Sequence, residues 1–261
     1  MQTYRLLVAY DGAPYHGFAR QPDLATVQGV IEESLGKLFG DEIKTSGAGR
    51  TDAGVHALGQ VMSFKAQAGR DVQDLRRRLD AMCGAAIAIL EVDVAPEGFD
   101  ARFSAVARTY EYGIFTRLIA DPFSRHVTWH HPEPLNVELM AEGAKHLLGE
   151  HAFDSFGRVE EGRSPVRRVE AIDITNDEDF ITIRITSDSF IQQMVRSIVG
   201  TLVRVGTGRT HPDDVGSILH ARSRAAAGPV APPHGLFLVQ VSYPEDLVTL
   251  GAGETREDTF N

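Results

Sequence analysis

The chain has 261 residues, 43% hydrophobic and 24% charged, which is enough apolar material for one large domain or two packed halves. No stretch reaches the roughly 18 uninterrupted apolar residues of a membrane span. The opening MQTYRLLVAYDG does not read as a signal peptide, and a lone cysteine, Cys83, excludes an internal disulfide, so a cytoplasmic protein with no membrane partner is expected.

Residues Tyr4 to Tyr10 read as a buried strand ending at the Asp11-Gly12 turn signal. Thr26 is placed as an N-cap, because Val27, Val30, Ile31, Leu35 and Leu38 follow at helical spacing. A short strand is expected over Ile43 to Ser46, another over Gln60 to Ala66, a helix over Asp71 to Met82 and a strand over Ile87 to Val94. That β-α-β-β-α-β order is the ferredoxin-like pattern. The second half repeats the plan. Arg108 to Phe115 alternates as a strand with Tyr110, Tyr112 and Ile114 on one face, and Asn136 to Leu148 is helical. Val166 to Thr175 and Phe180 to Thr186 form a hairpin across Asn176 to Asp179. Ser189 is placed as the cap of a long apolar helix to Val205, Pro212 begins a short helix, and Leu236 to Tyr243 is a closing strand.

The predicted fold is α+β: two related ferredoxin-like (RRM-like) halves forming an extended antiparallel sheet, with helices on one face and a central active-site cleft. The N-terminal half spans residues 1–105 and the C-terminal half 106–245, with 246–261 as a flexible tail.

Chemistry concentrates in Gly47 to Ala57, GAGRTDAGVHA, where three glycines permit tight turns and close backbone approach to a ligand. Between them stand one cation, Arg50, one hydroxyl, Thr51, and one carboxylate, Asp52. Residue types alone leave several readings open. A phosphate loop lacks its Gly-Lys-Ser/Thr, and a glycosidase would need a second acid. A glycine-rich turn in which Asp52 merely caps amides also fits. The net charge of −10 does not decide the partner, since a local basic face is what neutralises phosphates. Lysine occurs only at Lys37, Lys44, Lys65 and Lys145, and a general bias toward arginine explains that as well as RNA binding does.

The longer string GAGRTDAGVHALGQV closely resembles the catalytic motif of the tRNA pseudouridine synthase A family. YDGAPYHGF resembles that family's opening strand and loop, FDARFSAVARTYEY its central motif, SFIQQMVRSIVGTLVRVG its long helix and APPHGLFLVQVSYP its closing strand. The resemblance runs in order from about residue 4 to 244. It departs at Phe18-Ala19, where Trp-Gln is usual, at Gln192-Gln193, where His is frequent, and at Asp80, where Asn is usual and the Leu-Pro that follows is missing.

The resemblance implies an isomerase that converts uridine to pseudouridine at positions 38–40 of the tRNA anticodon stem-loop, working as a homodimer. Asp52 is implied as the catalytic carboxylate, Arg196 as the arginine that pairs with it, and Tyr110 as the tyrosine packed on the target base. Arg50 would hold the extruded nucleotide and Leu236 would line the base pocket. Arg163, Arg167 and Arg168 fall in a segment implied to lie near tRNA. The reaction needs no redox step and no external group, so no cofactor is implied, and the scattered histidines match no ligand spacing, so no metal is expected. A noncatalytic tRNA-binding or chaperone protein of the same fold is the alternative reading, and a nucleotide-binding hydrolase is a second.

Overall fold

Strand β1 (Gln2–Tyr10) is the spine of the first of two compact units, which comprises Met1–Arg108 and the closing segment that begins at Phe237. The structure, a computed structural model, describes residues 1–247. Of the expected tail, residues 248–261 lie outside the described residues, and Glu245–Leu247 form one 3₁₀ turn.

The first unit follows the expected order: α1 (Val27–Phe39), β2 (Thr45–Gly47), β3 (His56–Ala66), α2 (Val72–Cys83) and β4 (Ile87–Val94) follow β1. β1 pairs antiparallel with β3 on one side and β4 on the other. As a central strand β1 is largely buried on both faces, its one charged side chain, Arg5, forming an ion pair with Asp93 of β4 at 2.7 Å. Tyr4, Leu6, Val8 and Tyr10 are buried, with Tyr4 packed on Phe39 of α1 and Phe64 of β3. From the opposite face Leu7 joins a cluster of Ala48, Val61, Ala95, Phe99 and Ala101. Thr26 caps α1 by accepting from Gly29 N, and Asp71 caps α2 by accepting from Asp74 N.

Two strand boundaries differ from the sequence expectation. β2 starts at Thr45 rather than Ile43, because the buried Glu32 carboxylate takes both the N–H and the hydroxyl of Thr45 (2.9 and 3.1 Å). β3 begins at His56, four residues before Gln60, because His56 and Ala57 pair in parallel with Phe237 and Leu238 of the closing strand β10 (Leu236–Ser242). Gly59 is required there: a Cβ would stand 2.2 Å from the Val239 carbonyl oxygen.

The second unit is Thr109–Leu236. Its elements in chain order are β5 (Ala107–Phe115), β6 (Trp129–His130), α3 (Val137–Lys145), β7 (Gly149–Ala152), β8 (Val166–Asp177), β9 (Phe180–Ser187), α4 (Met194–Gly206) and α5 (Asp214–His220). The sheet runs β5-β9-β8-β7, with β6 beside β5. Every residue of β5 is buried, although an alternating pattern was expected. Its polar side chains are matched across the sheet: Glu111 takes an ion pair from Arg184 at 2.7 Å, and Thr109 meets Thr186 at 2.9 Å.

The long helix α4 starts at Met194 with Gln193 as its N-cap residue, in place of the expected Ser189. Ser187 donates to the carbonyls of Arg168 and Ser189, and Ser189 donates to Asp188, so local polar bonds compete with helix over this stretch. α3 ends at Lys145, three residues short of expectation. His146, Leu147 and Leu148 each donate three residues back, tightening the last turn. Both units are thus mostly antiparallel sheets with helices, the α+β class expected, with five α-helices among the described residues. No helix among them is long and apolar enough to cross a membrane.

Helix α4 meets the segment Gly228–Ala231 backbone against backbone. Thr201 accepts from Gly228 N, Arg196 O accepts from Ala231 N, and a Cβ on Gly200 would stand 1.8 Å from the Pro229 carbonyl oxygen. Gly200→Ala is expected to lower unfolding free energy by about 3 kcal/mol through overpacking, read as a drop in the urea midpoint.

Candidate active site

Residues Ala48–Val55, between β2 and β3, form an irregular loop whose polar backbone groups are tied down by side chains from elsewhere in the first unit. Ala48 N donates to Val61 O at 2.8 Å. The buried Arg108 guanidinium donates to Ala48 O at 3.0 and 3.2 Å. Gln60, fully buried on β3, accepts from Gly49 N at 3.3 Å and donates to Gly49 O at 2.7 Å. Thr51 is buried, and its hydroxyl shares a 2.8 Å hydrogen bond with the Tyr10 phenol at the end of β1.

The opening segment closes on the same loop. Phe18 N donates to Thr51 O at 3.1 Å, and Gly17, at φ +96°, faces that same carbonyl. Cβ atoms on Gly12 and Gly47 would meet the Val55 oxygen at 2.0 Å and the Phe18 ring at 2.4 Å. Two of the motifs singled out in the sequence are therefore one packed object. Val55 N donates back to Asp52 O at 3.1 Å across a turn with Gly54 at φ +77°. Asp52 thus opens a tight turn and is half-buried, while Arg50 is exposed. His56 follows on β3, where its Nδ1 accepts from Gly12 N at 3.2 Å and its ring stacks on Phe237 with centroids 4.7 Å apart.

The second unit holds Tyr110, Arg196 and Leu236. Tyr110, in the middle of β5, is 7% exposed and meets Phe190 edge-on, with centroids 5.1 Å apart. Tyr112, two residues on, is fully buried and donates to Pro232 O at 2.8 Å; burial pushes its phenol well above the ordinary tyrosine range. Arg196 lies in the first turn of α4, half-buried, with Nε donating to Ala231 O at 2.7 Å. Arg196 and Tyr112 therefore hold consecutive carbonyls, Ala231 and Pro232, of the segment that leads to the buried Leu236. Close packing continues at Gly235, whose Cβ would stand 2.8 Å from the Tyr112 ring.

The arginines of the 160s do not share one surface. Arg163 is exposed near Glu160, while Arg167 is half-buried and donates to Ser164 O and Val166 O; its burial lowers the guanidinium pKa. Arg168, next on β8, is exposed, and consecutive strand residues point to opposite faces. Among the described residues, no group of three or more His, Cys, Asp or Glu side chains could hold a metal ion.

Tyr10, Gln60 and Arg108 were not singled out from the sequence. A signal existed for Gln60, an amide inside an apolar strand, because a buried amide needs partners. For Tyr10 and Arg108 nothing local distinguishes a loop-holding residue from a core aromatic or a surface cation.

Comparison with known proteins gives one consistent result. The family described as tRNA pseudouridine synthase matches residues 6–104 and 144–244. The chain is 42% identical over 249 residues to the tRNA pseudouridine synthase A of Agrobacterium fabrum, covering 94% of each chain. It is 41% identical to the protein of that name from Rhizobium leguminosarum bv. trifolii, over 94% of this chain and 93% of the relative. The corresponding protein of Rhodopseudomonas palustris strain CGA009 is 41% identical, over 93% and 99%.

Burial pushes the Tyr10 phenol up to about 12, the bonds to Thr51 and Gln60 only partly offsetting it, whereas the unfolded chain ionises near about 10. Its contribution to stability is complete below about pH 10 and is lost as pH rises to about 12. Tyr10→Phe is expected to cost about 1 kcal/mol at neutral pH, from the lost hydrogen bond to Thr51. The variant should also lose less stability than the wild type between those two pH values. Urea unfolding of both proteins at neutral and alkaline pH measures each effect.

Proposed function

The chain belongs to the tRNA pseudouridine synthase family, and from that membership we propose that it isomerises uridine to pseudouridine in tRNA with Asp52 as the catalytic carboxylate. The observation that carries the assignment is the Asp52 turn itself. It is the one carboxylate in a loop whose neighbouring positions are pinned by Tyr10, Gln60 and Arg108. A carboxylate held at a fixed position beside flexible glycines suits a nucleophile that must meet one carbon of an incoming nucleotide.

The chemistry balances without an external group. The C1′–N1 bond of uridine breaks, the uracil turns while Asp52 engages the nucleotide, and a C1′–C5 bond forms. The proton on C5 is lost and N1 regains one. Extruding the uridine from its stack costs on the order of a few kcal/mol. Arg50, exposed two residues before Asp52, is suited to offset part of that cost through the backbone phosphate. Tyr110 is assigned to packing on the base and to helping remove the C5 proton, Arg196 to support of the catalytic carboxylate and Leu236 to the base pocket. These three assignments rest on the motifs that carry them. Arg163 and Arg168, both exposed, are proposed as backbone contacts, with Arg167 shaping the loop between them. The target uridines are assigned to positions 38–40 of the anticodon stem-loop, the working form to a homodimer and the compartment to the cytoplasm.

Incubating unmodified tRNA transcripts with the protein, and separating the nucleosides by chromatography, tests the reading. Wild type is expected to form pseudouridine in the anticodon arm. Asp52→Ala should form none while binding tRNA nearly as tightly, because phosphate contacts dominate RNA affinity. Tight tRNA binding by the wild type with no product across several tRNAs would establish a noncatalytic binding protein instead.

A further inference from the structure

Phe103 is 79% exposed, although every neighbour along the chain is anchored. Asp100 Oδ1 accepts from Arg102 N and Phe103 N at 2.8 and 2.9 Å and from the Ser46 hydroxyl at 3.1 Å. Ala101 is fully buried, its N–H on Ser63 and its carbonyl on Tyr243. Arg108 donates to the carbonyls of Arg102 and Ala105 at 2.7 and 3.1 Å. A pedestal this fully bonded leaves the Phe103 backbone little freedom and presents its ring to solvent. The Arg102 guanidinium carbon lies 5.6 Å from the ring centroid, within cation–π range.

The pedestal is built into the loop already described. Ser46 lies in β2, two residues before that loop, and the arginine that holds Arg102 O also holds Ala48 O. Val106, 49% exposed, is the only other large apolar side chain in the open between Asp100 and Arg108. One ring beside one cation is too small for a protein-docking patch, which needs a contiguous apolar area. It has the composition of a platform on which a base stacks while a guanidinium meets the adjoining phosphate.

We infer that Phe103, with Arg102 beside it, is a stacking platform for an unpaired base of the RNA substrate, flanking the loop that carries Asp52. The inference rests on the reading of RNA as the substrate. Phe103 is a positioning residue: it acts on where the RNA lies, not on the reacting atoms.

Phe103→Ala and Phe103→Leu are each expected to raise KM for tRNA about tenfold while changing kcat less, since stacking is lost but the chemistry is not. Phe103→Tyr should restore KM, and the exposed position predicts an unchanged melting temperature for all three. Phe103→Trp supplies a direct readout: its fluorescence should be quenched as single-stranded RNA or tRNA is titrated, beyond the response of the wild type, whose only tryptophan is Trp129. Wild-type KM in Phe103→Ala together with no added quenching overturns the inference. So does a Phe103→Ala protein whose sedimentation shifts to a smaller species, which would make the ring a contact between copies of the chain. Quenching by RNA with a wild type that forms no pseudouridine would leave the platform standing and remove the catalytic reading. Product formation by the wild type, with wild-type KM in Phe103→Ala and no added quenching, would do the reverse.

Discussion

The site depends on one buried cation. Arg108, 9% exposed, spends its guanidinium on the main-chain carbonyls of Ala48, Arg102 and Ala105, joining two irregular segments that no strand pairing would join. A glycine-rich loop is entropically expensive to hold in one shape, and its carbonyls need partners once water is excluded. A planar, permanently charged group with five N–H donors in a fixed fork is well suited to serve three carbonyl acceptors. Gln60 and Tyr10 complete the set at Gly49 and Thr51. Asp52 follows the last of these tied residues, so the polar side chains of the sheet fix the backbone that leads into its turn.

Most of the fold was legible because it rests on local periodicity. β1, α1, α2 and β4 carry their own signals: a buried apolar run, capped helices with apolar residues three and four apart, and turn residues at the ends. What escaped was set by distant partners. The start of β3 is a strand only because Phe237 and Leu238 pair with it in parallel. The two-residue β6 and four-residue β7 are too short to show a period. The error at Ser189 has a different origin. Ser-Asp-Ser looks like a helix cap, but the Ser187 hydroxyl bonds to strand β8 and the Ser189 hydroxyl to the Asp188 carboxylate, so the helix waits for Gln193 at φ +65°. The apolar run was read correctly and its cap was not.

At the site, legibility follows chemical conspicuousness. Asp52 and Arg50 stand out through the longer string GAGRTDAGVHALGQV, since by residue type alone a glycine-rich turn with a capping Asp fits as well. Tyr110 and Tyr112 share a strand face and look alike in sequence. The structure makes Tyr112 part of the scaffold, its hydroxyl donating to Pro232 O, while the choice of Tyr110 rests on the family motif. A similar distinction divides Arg167, turned onto its own loop, from Arg168, open to solvent. Sequence supplies residue type and spacing, but only the fold decides where a polar group's bonds are used.

The charge balance yields to the same reasoning. A net charge of −10 looks hostile to a polyanion, yet a sum over the whole chain says little about any one spot on its surface. On β8 the exposed Arg168 stands near one end, and Asp177 and Glu178 stand at the hairpin turn at the other. Nine residues of extended chain separate Arg168 from Asp177, roughly 30 Å at about 3.3 Å per residue. The Debye length at physiological salt is about 8 Å, so the field of the turn is screened to a small fraction before it reaches the arginine. Acids at the hairpin therefore lower the sum without acting at Arg168, whereas Glu150, its register partner on β7, and Asp188, which accepts from its N–H at 3.2 Å, do act there. The sign of the total therefore carries little information about the partner, because what a phosphate meets is set by the charges within about a Debye length of the contact, roughly 8 Å.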